Sequence, residues 1–282
     1  MEISFLGPLT VKSGLMVLPL GGDRNRRLLA ALLIDANQPV PIDRLIDVLW
    51  GEQPPSTARQ QVQNRLGKLR RLFGQTHDPQ INRVGRGYSL EVSEHQVDGL
   101  TFRKLCAEAE YAQRLGQFDR AASHLNAALG LWRGSALEGI DSPALSADAL
   151  RWEESRLRAI ETLVELEFSC GRHSAVTADL RTWVQRYPYH EGLHCRLAEA
   201  LHLRSRTGEA LMLLHQLKMR LATELGINPG ASVQEMHLRL VGASPDPETP
   251  QSDRAVEALR RALTETTQSL KVLTNALEFL NN

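Results

Sequence analysis

The sequence predicts a mainly α chain with a small β part, on three observations. Residues 2–20 alternate short apolar runs with Gly-Pro and Ser-Gly punctuation, the pattern of short antiparallel strands. Three helical stretches with apolar faces follow before residue 74, and a Gly-Arg-Gly turn between two short strand patterns closes the region. From Asp98 onward nearly every segment has helical periodicity, with short connections that contain Gly or Pro. Together these give an N-terminal winged helix-turn-helix followed by a tetratricopeptide-like helical domain.

The first domain is expected over residues 1–95. Residues 2–20 read as a small three-stranded sheet. After Gly21-Gly22, Arg24 to Asp35 forms a helix with an apolar face, which Asn37 and Pro39 stop. A second helix begins near Pro41 and Asp43 and turns Ile42, Leu45, Ile46, Leu49 and Trp50 inward. The loop Gly51, Glu52, Gln53, Pro54 and Pro55 ends it, and Ser56 or Thr57 caps the third helix.

That third helix, Ser56 to Phe73, carries five basic residues and no acid. Val62, Leu66, Leu69 and Phe73 recur at three-to-four-residue spacing and form its apolar back. Successive residues turn by about a hundred degrees, so Gln60, Gln63, Asn64, Gly67, Lys68 and Arg71 share the opposite face. Amide side chains can bond adenine edges in two places, and Arg and Lys bond guanine edges and displace counterions from phosphates. Arg59, Arg65 and Arg70 are placed to hold the helix on phosphates. The strand pair over 81–92 forms a wing that presents Arg83 and Arg86 to the neighbouring backbone or minor groove.

Charge distribution agrees. The total is balanced at 33 basic and 33 acidic residues, yet residues 59–86 hold seven Lys/Arg and one acid, Asp78. A basic, amide-rich face is also what many solvated helices carry; the helix, hairpin and local charge occurring together favour double-stranded DNA.

The helical domain is expected over 96–243, with helices near 100–115, 118–132, 147–170, 174–187, 191–205, 208–225 and 232–241. GQFDRAASHL, GRHSAVTADL and TGEALMLLHQL echo one another, each a Gly turn leading into a helix with small residues. A Pro-rich linker follows at 244–252 and a heptad pattern over 253–282. Its seam residues Val256, Leu259, Leu263, Leu270, Leu273 and Leu277 suit self-association, or docking on the same chain.

His190-Glu191-Gly192-Leu193-His194 matches H-E-x-x-H, in which two His hold zinc and Glu activates water. Pro188 puts the match in a first helical turn, Gly192 weakens that turn, and only Glu209 or His215 offers itself as a third ligand. An ordinary helix start is the better reading, and no catalytic residue, metal or cofactor is expected. The three cysteines lack metal-ligand spacing and are expected as reduced, buried thiols. No apolar run approaches the length needed to span a bilayer, and residues 1–11 lack a signal-peptide pattern, so a cytoplasmic location is expected.

The ordered stretches LGPL, RRLLAALL, VPIDRLIDVLWG, PPSTAR, LRRLFG and RVGRGYSL resemble the N-terminal domain of the Streptomyces antibiotic regulatory protein (SARP) family, which carries an OmpR-type winged helix. VDGLTFRKL, FDRAASHLNAALGLWRG, ALRWEESRLRAIE and ATELGINPG resemble that family's bacterial transcriptional activation domain. The resemblance covers about residues 1–242. It implies an activator that binds direct repeats upstream of promoters as two adjacent protomers and recruits RNA polymerase through its sigma and alpha subunits, with Gly51 to Pro55 as a candidate contact. It also implies control of a secondary-metabolite gene cluster. A repressor of the same architecture, or one whose helical domain senses a ligand or partner, shares these features.

Overall fold

A computed structural model describes residues 1–74 and 79–242. The linker and the heptad segment expected over 244–282 lie outside the described residues. The chain divides into two compact units, Met1–Val176 and Thr177 onward.

The first unit opens with β1 (Glu2–Ser4), β2 (Thr10–Ser13) and β3 (Met16–Val17), an antiparallel sheet in that order. Helices α1 (Asp23–Ile34), α2 (Ile42–Trp50) and α3 (Ala58–Phe73) follow. Their core takes Leu28, Leu29, Leu32 and Leu33 of α1 and the expected stripe Val62, Leu66, Leu69 and Phe73 of α3, all buried; of the residues expected inward on α2, Ile42, Leu45 and Leu49 are buried, Ile46 and Trp50 are half-buried, and Val48 is buried in addition. The wing is β5 (Gln80–Val84) and β6 (Gly87–Glu91), antiparallel with Gly85 and Arg86 as the turn.

A two-residue strand, β4 (Val40–Pro41), pairs with β6 and makes the wing three-stranded in the order β4-β6-β5. Gly87 is required there, because a Cβ would run into the Val40 carbonyl. The cap expected of Ser56 or Thr57 is not formed. Thr57 occupies the cap position, but its Oγ1 accepts from the Gln61 side chain at 3.1 Å and leaves the helix backbone uncapped.

The same unit includes α4 (Asp98–Arg114), α5 (Phe118–Gly130) and α6 (Pro143–Ser169). The winged part is joined to them through a shared core. Phe5 stacks edge-on against Trp152 at 5.0 Å, Phe102 likewise against Trp132 at 5.5 Å, and Phe5 and Phe102 are fully buried. The buried Asp98 carboxylate accepts the backbone N–H groups of Phe5 at 2.9 Å, Leu6 at 3.0 Å and Gly99 at 2.8 Å. Burial raises its pKa, and those N–H bonds and Arg133 oppose the rise. The Arg133 and Leu137 N–H groups bond back to the Leu6 and Phe5 carbonyls. A Cβ at Gly99 would strike the Phe5 ring, so only glycine allows this approach.

Helix α7 (His173–Arg186) crosses the division between units. The second unit then contains α8 (Glu191–His202), α9 (Thr207–Arg220), a π-helical turn over Leu221–Leu225 and α10 (Ala231–Gly242). Gly116 and Gly171 make left-handed turns before α5 and α7, as two of the sequence echoes anticipate. In the third echo the left-handed residue is Ser205, and Gly208 lies inside α9. All three cysteines are free thiols, but only Cys195 is buried; Cys106 and Cys170 are half-buried. Burial pushes the Cys106 and Cys195 thiols up to about 11, which keeps both in the unreactive protonated form near neutrality.

Candidate nucleic-acid interface

The apolar stripe of α3 is fixed against α1 and α2, so its opposite face has to turn outward. Arg59, Gln60, Gln63, Asn64, Lys68 and Arg71 are exposed and Gly67 is half-buried. Gln60 donates to the Asn64 Oδ1 at 3.4 Å, which sets the two amides one helical turn apart on this face. A Cβ added at Gly67 meets nothing within 4 Å, so nothing within the protein itself excludes a side chain there.

The cations of this region divide by partner. Lys68, Arg83 and Arg86 have no acidic partner among the described residues, and the Arg71 Nε donates only to the Gly67 carbonyl one turn back. Arg59 pairs with Asp43 of α2 at 2.9 Å, with both side chains well exposed. Such a pair is weak and easily exchanged for a phosphate.

Arg65 and Arg70, expected on phosphates, also make bonds within the domain. Arg65 donates to Asn25 Oδ1 at 3.1 Å, and its pKa is lowered by burial and by nearby Arg24. Asn25, itself buried, donates to the Leu20 and Gly21 carbonyls and so ties the start of α1 to α3. The Arg70 Nε donates to the Ile81 carbonyl at 2.8 Å and its guanidinium lies 5.8 Å from the Tyr88 ring, which locks the wing onto α3. In the wing, Arg86 stands in the turn and Arg83 near the end of β5, both exposed.

Asn25 carries no signal in the sequence, because an Asn inside RNRR reads as an exposed helix start. Between α2 and α3 the loop Gly51 to Pro54 is exposed and Pro55 half-buried, with Gly51 at a positive φ of 60°.

The H-E-x-x-H stretch is a helix start. The His190 Nδ1 caps α8 by accepting from the Leu193 N–H at 3.2 Å, and the Glu191 carboxylate accepts the Gly230 N–H at 2.8 Å. His194 is buried with its Nδ1 3.0 Å from the His190 carbonyl, and burial pushes its pKa down. Among the described residues no group of three or more His, Cys, Asp or Glu side chains is placed to hold a metal ion. Nor is any helix among them long and apolar enough to cross a membrane.

A basic, amide-bearing helix braced by a three-stranded wing, continuous with an α-helical domain, defines a winged helix-turn-helix protein of the kind that engages duplex DNA. The family model for the bacterial transcriptional activator domain matches residues 97–241. The regulatory protein DnrI of Streptomyces peucetius is 33% identical over 255 residues, which cover 87% of this chain and 93% of DnrI. The transcriptional regulator RedD of Streptomyces coelicolor is 30% identical over 250 residues, covering 86% of this chain and 71% of RedD.

A solved structure of Mycobacterium tuberculosis EmbR in complex with a low-affinity phosphopeptide superposes with a TM-score of 0.77 at 33% identity, over 86% of this chain and 65% of EmbR. The chain belongs to the SARP family of transcriptional regulators.

Proposed function

We propose that this protein is a sequence-specific transcriptional activator and not an enzyme. It binds direct repeats upstream of its promoters as two adjacent protomers and recruits RNA polymerase through the sigma and alpha subunits. The observation that carries the reading is the acid-free outer face of α3, with its partnerless Lys68, next to a wing whose Arg83 and Arg86 also lack acidic partners among the described residues.

Gln60, Gln63, Asn64, Lys68 and Arg71 face the major groove, with Gly67 allowing close approach of the backbone. Arg59 and Arg86 reach phosphates, and Arg83 adds charge beside the wing turn. Arg65 and Arg70 act chiefly by positioning the helix and wing. The loop Gly51 to Pro55 is the proposed polymerase contact. The descriptions "regulatory protein" and "transcriptional regulator" borne by DnrI and RedD support a regulator; membership of the SARP family is the ground for proposing that it controls a secondary-metabolite gene cluster and acts in the cytoplasm.

In vitro transcription from promoters near the protein's own gene tests this. Added protein is expected to raise transcript from templates that carry the repeats. A fall in transcript overturns activation, and an unchanged level with no protected repeats overturns DNA recognition as well.

A further inference from the structure

The second unit contains a groove between α9 and α10 with a cavity of about 480 Å³. That lies within the range of small-molecule sites, roughly 300–1,000 Å³. Its floor is apolar: Leu214, Pro229 and Val233 are buried, and Leu238, 71% exposed, stands at the rim. The polar lining includes Lys218, His215 and His237, all exposed, and contains no carboxylate among the described residues. By contrast, the groove along α4 in the first unit mixes Arg103, Lys104 and Arg120 with Glu94 and Glu108, so it offers no single charge to a ligand.

The wall of the α9–α10 groove is fixed before any ligand arrives. The Gly230 N–H donates to Glu191 and the Gln234 Nε2 donates to the Pro229 carbonyl at 2.8 Å, which pins the loop ahead of α10 from both sides. That loop starts at the left-handed Gly226, just after the π-helical turn Leu221–Leu225, and the Tyr189 hydroxyl holds this turn by donating to Glu224 at 2.6 Å. Isolated π turns inside helices are frequent at functional sites. Glu191 therefore serves as a pin for the loop.

We propose that this groove binds a small amphipathic monocarboxylate, with the carboxylate at Lys218 and an apolar body on Leu214, Val233 and Leu238. The charge selects an anion, and the apolar floor selects an aliphatic or aromatic acid over inorganic phosphate.

The test uses octanoate and octan-1-ol as matched probes against the full chain, read by methyl NMR of Leu and Val. Octanoate is expected to shift the Leu214, Val233 and Leu238 signals saturably, at concentrations roughly ten-fold or more below those octan-1-ol requires. Lys218→Gln should weaken octanoate by a similar factor and leave octan-1-ol unchanged. Equal response to the two probes, no effect of Lys218→Gln, or no shift at all overturns the proposal.

Discussion

Two arginine-rich surfaces of the first unit have opposite states. On the outer face of α3 and the wing, Lys68, Arg83 and Arg86 have no acid to neutralise them among the described residues. Where α2 meets α6, Arg44 reaches Asp148 at 2.9 Å and Asp35 at 3.5 Å, Arg151 pairs with the same Asp148, and Arg103 lies over the Trp152 ring at 4.2 Å. Asp148 is buried and serves both arginines; the Ser142 hydroxyl adds a bond to the Val48 carbonyl. Arginine count alone does not separate the two surfaces. What separates them is whether a carboxylate is folded in beside the charge, because a paired guanidinium has to give up its partner before it can take a phosphate.

The largest expected effect concerns a carboxylate on neither surface, in the core that joins the winged part to α4, α5 and α6. Asp98→Ala leaves the Phe5, Leu6 and Gly99 N–H groups without their acceptor and should lower stability by on the order of 3 kcal/mol, measured by urea unfolding. A loss below about 1 kcal/mol would mean that the winged part is not held through this carboxylate.

On the open surface, Lys68→Ala or Arg71→Ala should weaken promoter binding by about 1–3 kcal/mol per base contact. Stability should stay within about 0.5 kcal/mol. If melting falls as far as affinity does, these side chains belong with the closed set.

Gly67→Ala is smaller and sharper. A helix-interior glycine costs about 0.5–1 kcal/mol relative to alanine, and a Cβ there meets nothing within the protein. The variant should be more stable by about that amount and bind DNA more weakly. More stability with unchanged affinity removes the close-approach role and leaves Asn64, Lys68 and Arg71 to carry recognition.

The smallest effect is in the second unit. Burial lowers the His194 pKa, so below the ordinary histidine value of about 6.5 the unfolded chain binds a proton that the folded one resists. This contribution to stability is complete above that pH and is lost as pH falls toward the lowered folded value. Urea midpoints between pH 7.5 and 5.5 should therefore fall more for the native chain than for His194→Gln.

The elements legible in the sequence are those whose signal is local. The α3 stripe, its acid-free face, the Gly-Arg-Gly wing turn and the helical periods after residue 97 each lie within a few turns of chain. Three features were not legible because their partners are remote or their span is short. Asp98 reads as an ordinary first-turn acid, and only the fold brings it to the Phe5 N–H, 93 residues earlier. β4 is two residues long and carries no alternation. A helical projection puts Arg65 and Arg70 on the flanks of the apolar stripe, where a phosphate and a partner within the protein are equally natural. Their partners within the protein, Asn25 and the Ile81 carbonyl, both belong to other elements.

The most direct test is a footprint of the full chain on the promoter region beside its own gene, with wild type and a Lys68→Ala/Arg71→Ala double variant run together. The expected result is protection of a direct repeat by wild type, lost in the variant at the same concentration while its unfolding midpoint is unchanged. An unaltered footprint from the double variant would contradict the assignment of DNA reading to this face of α3.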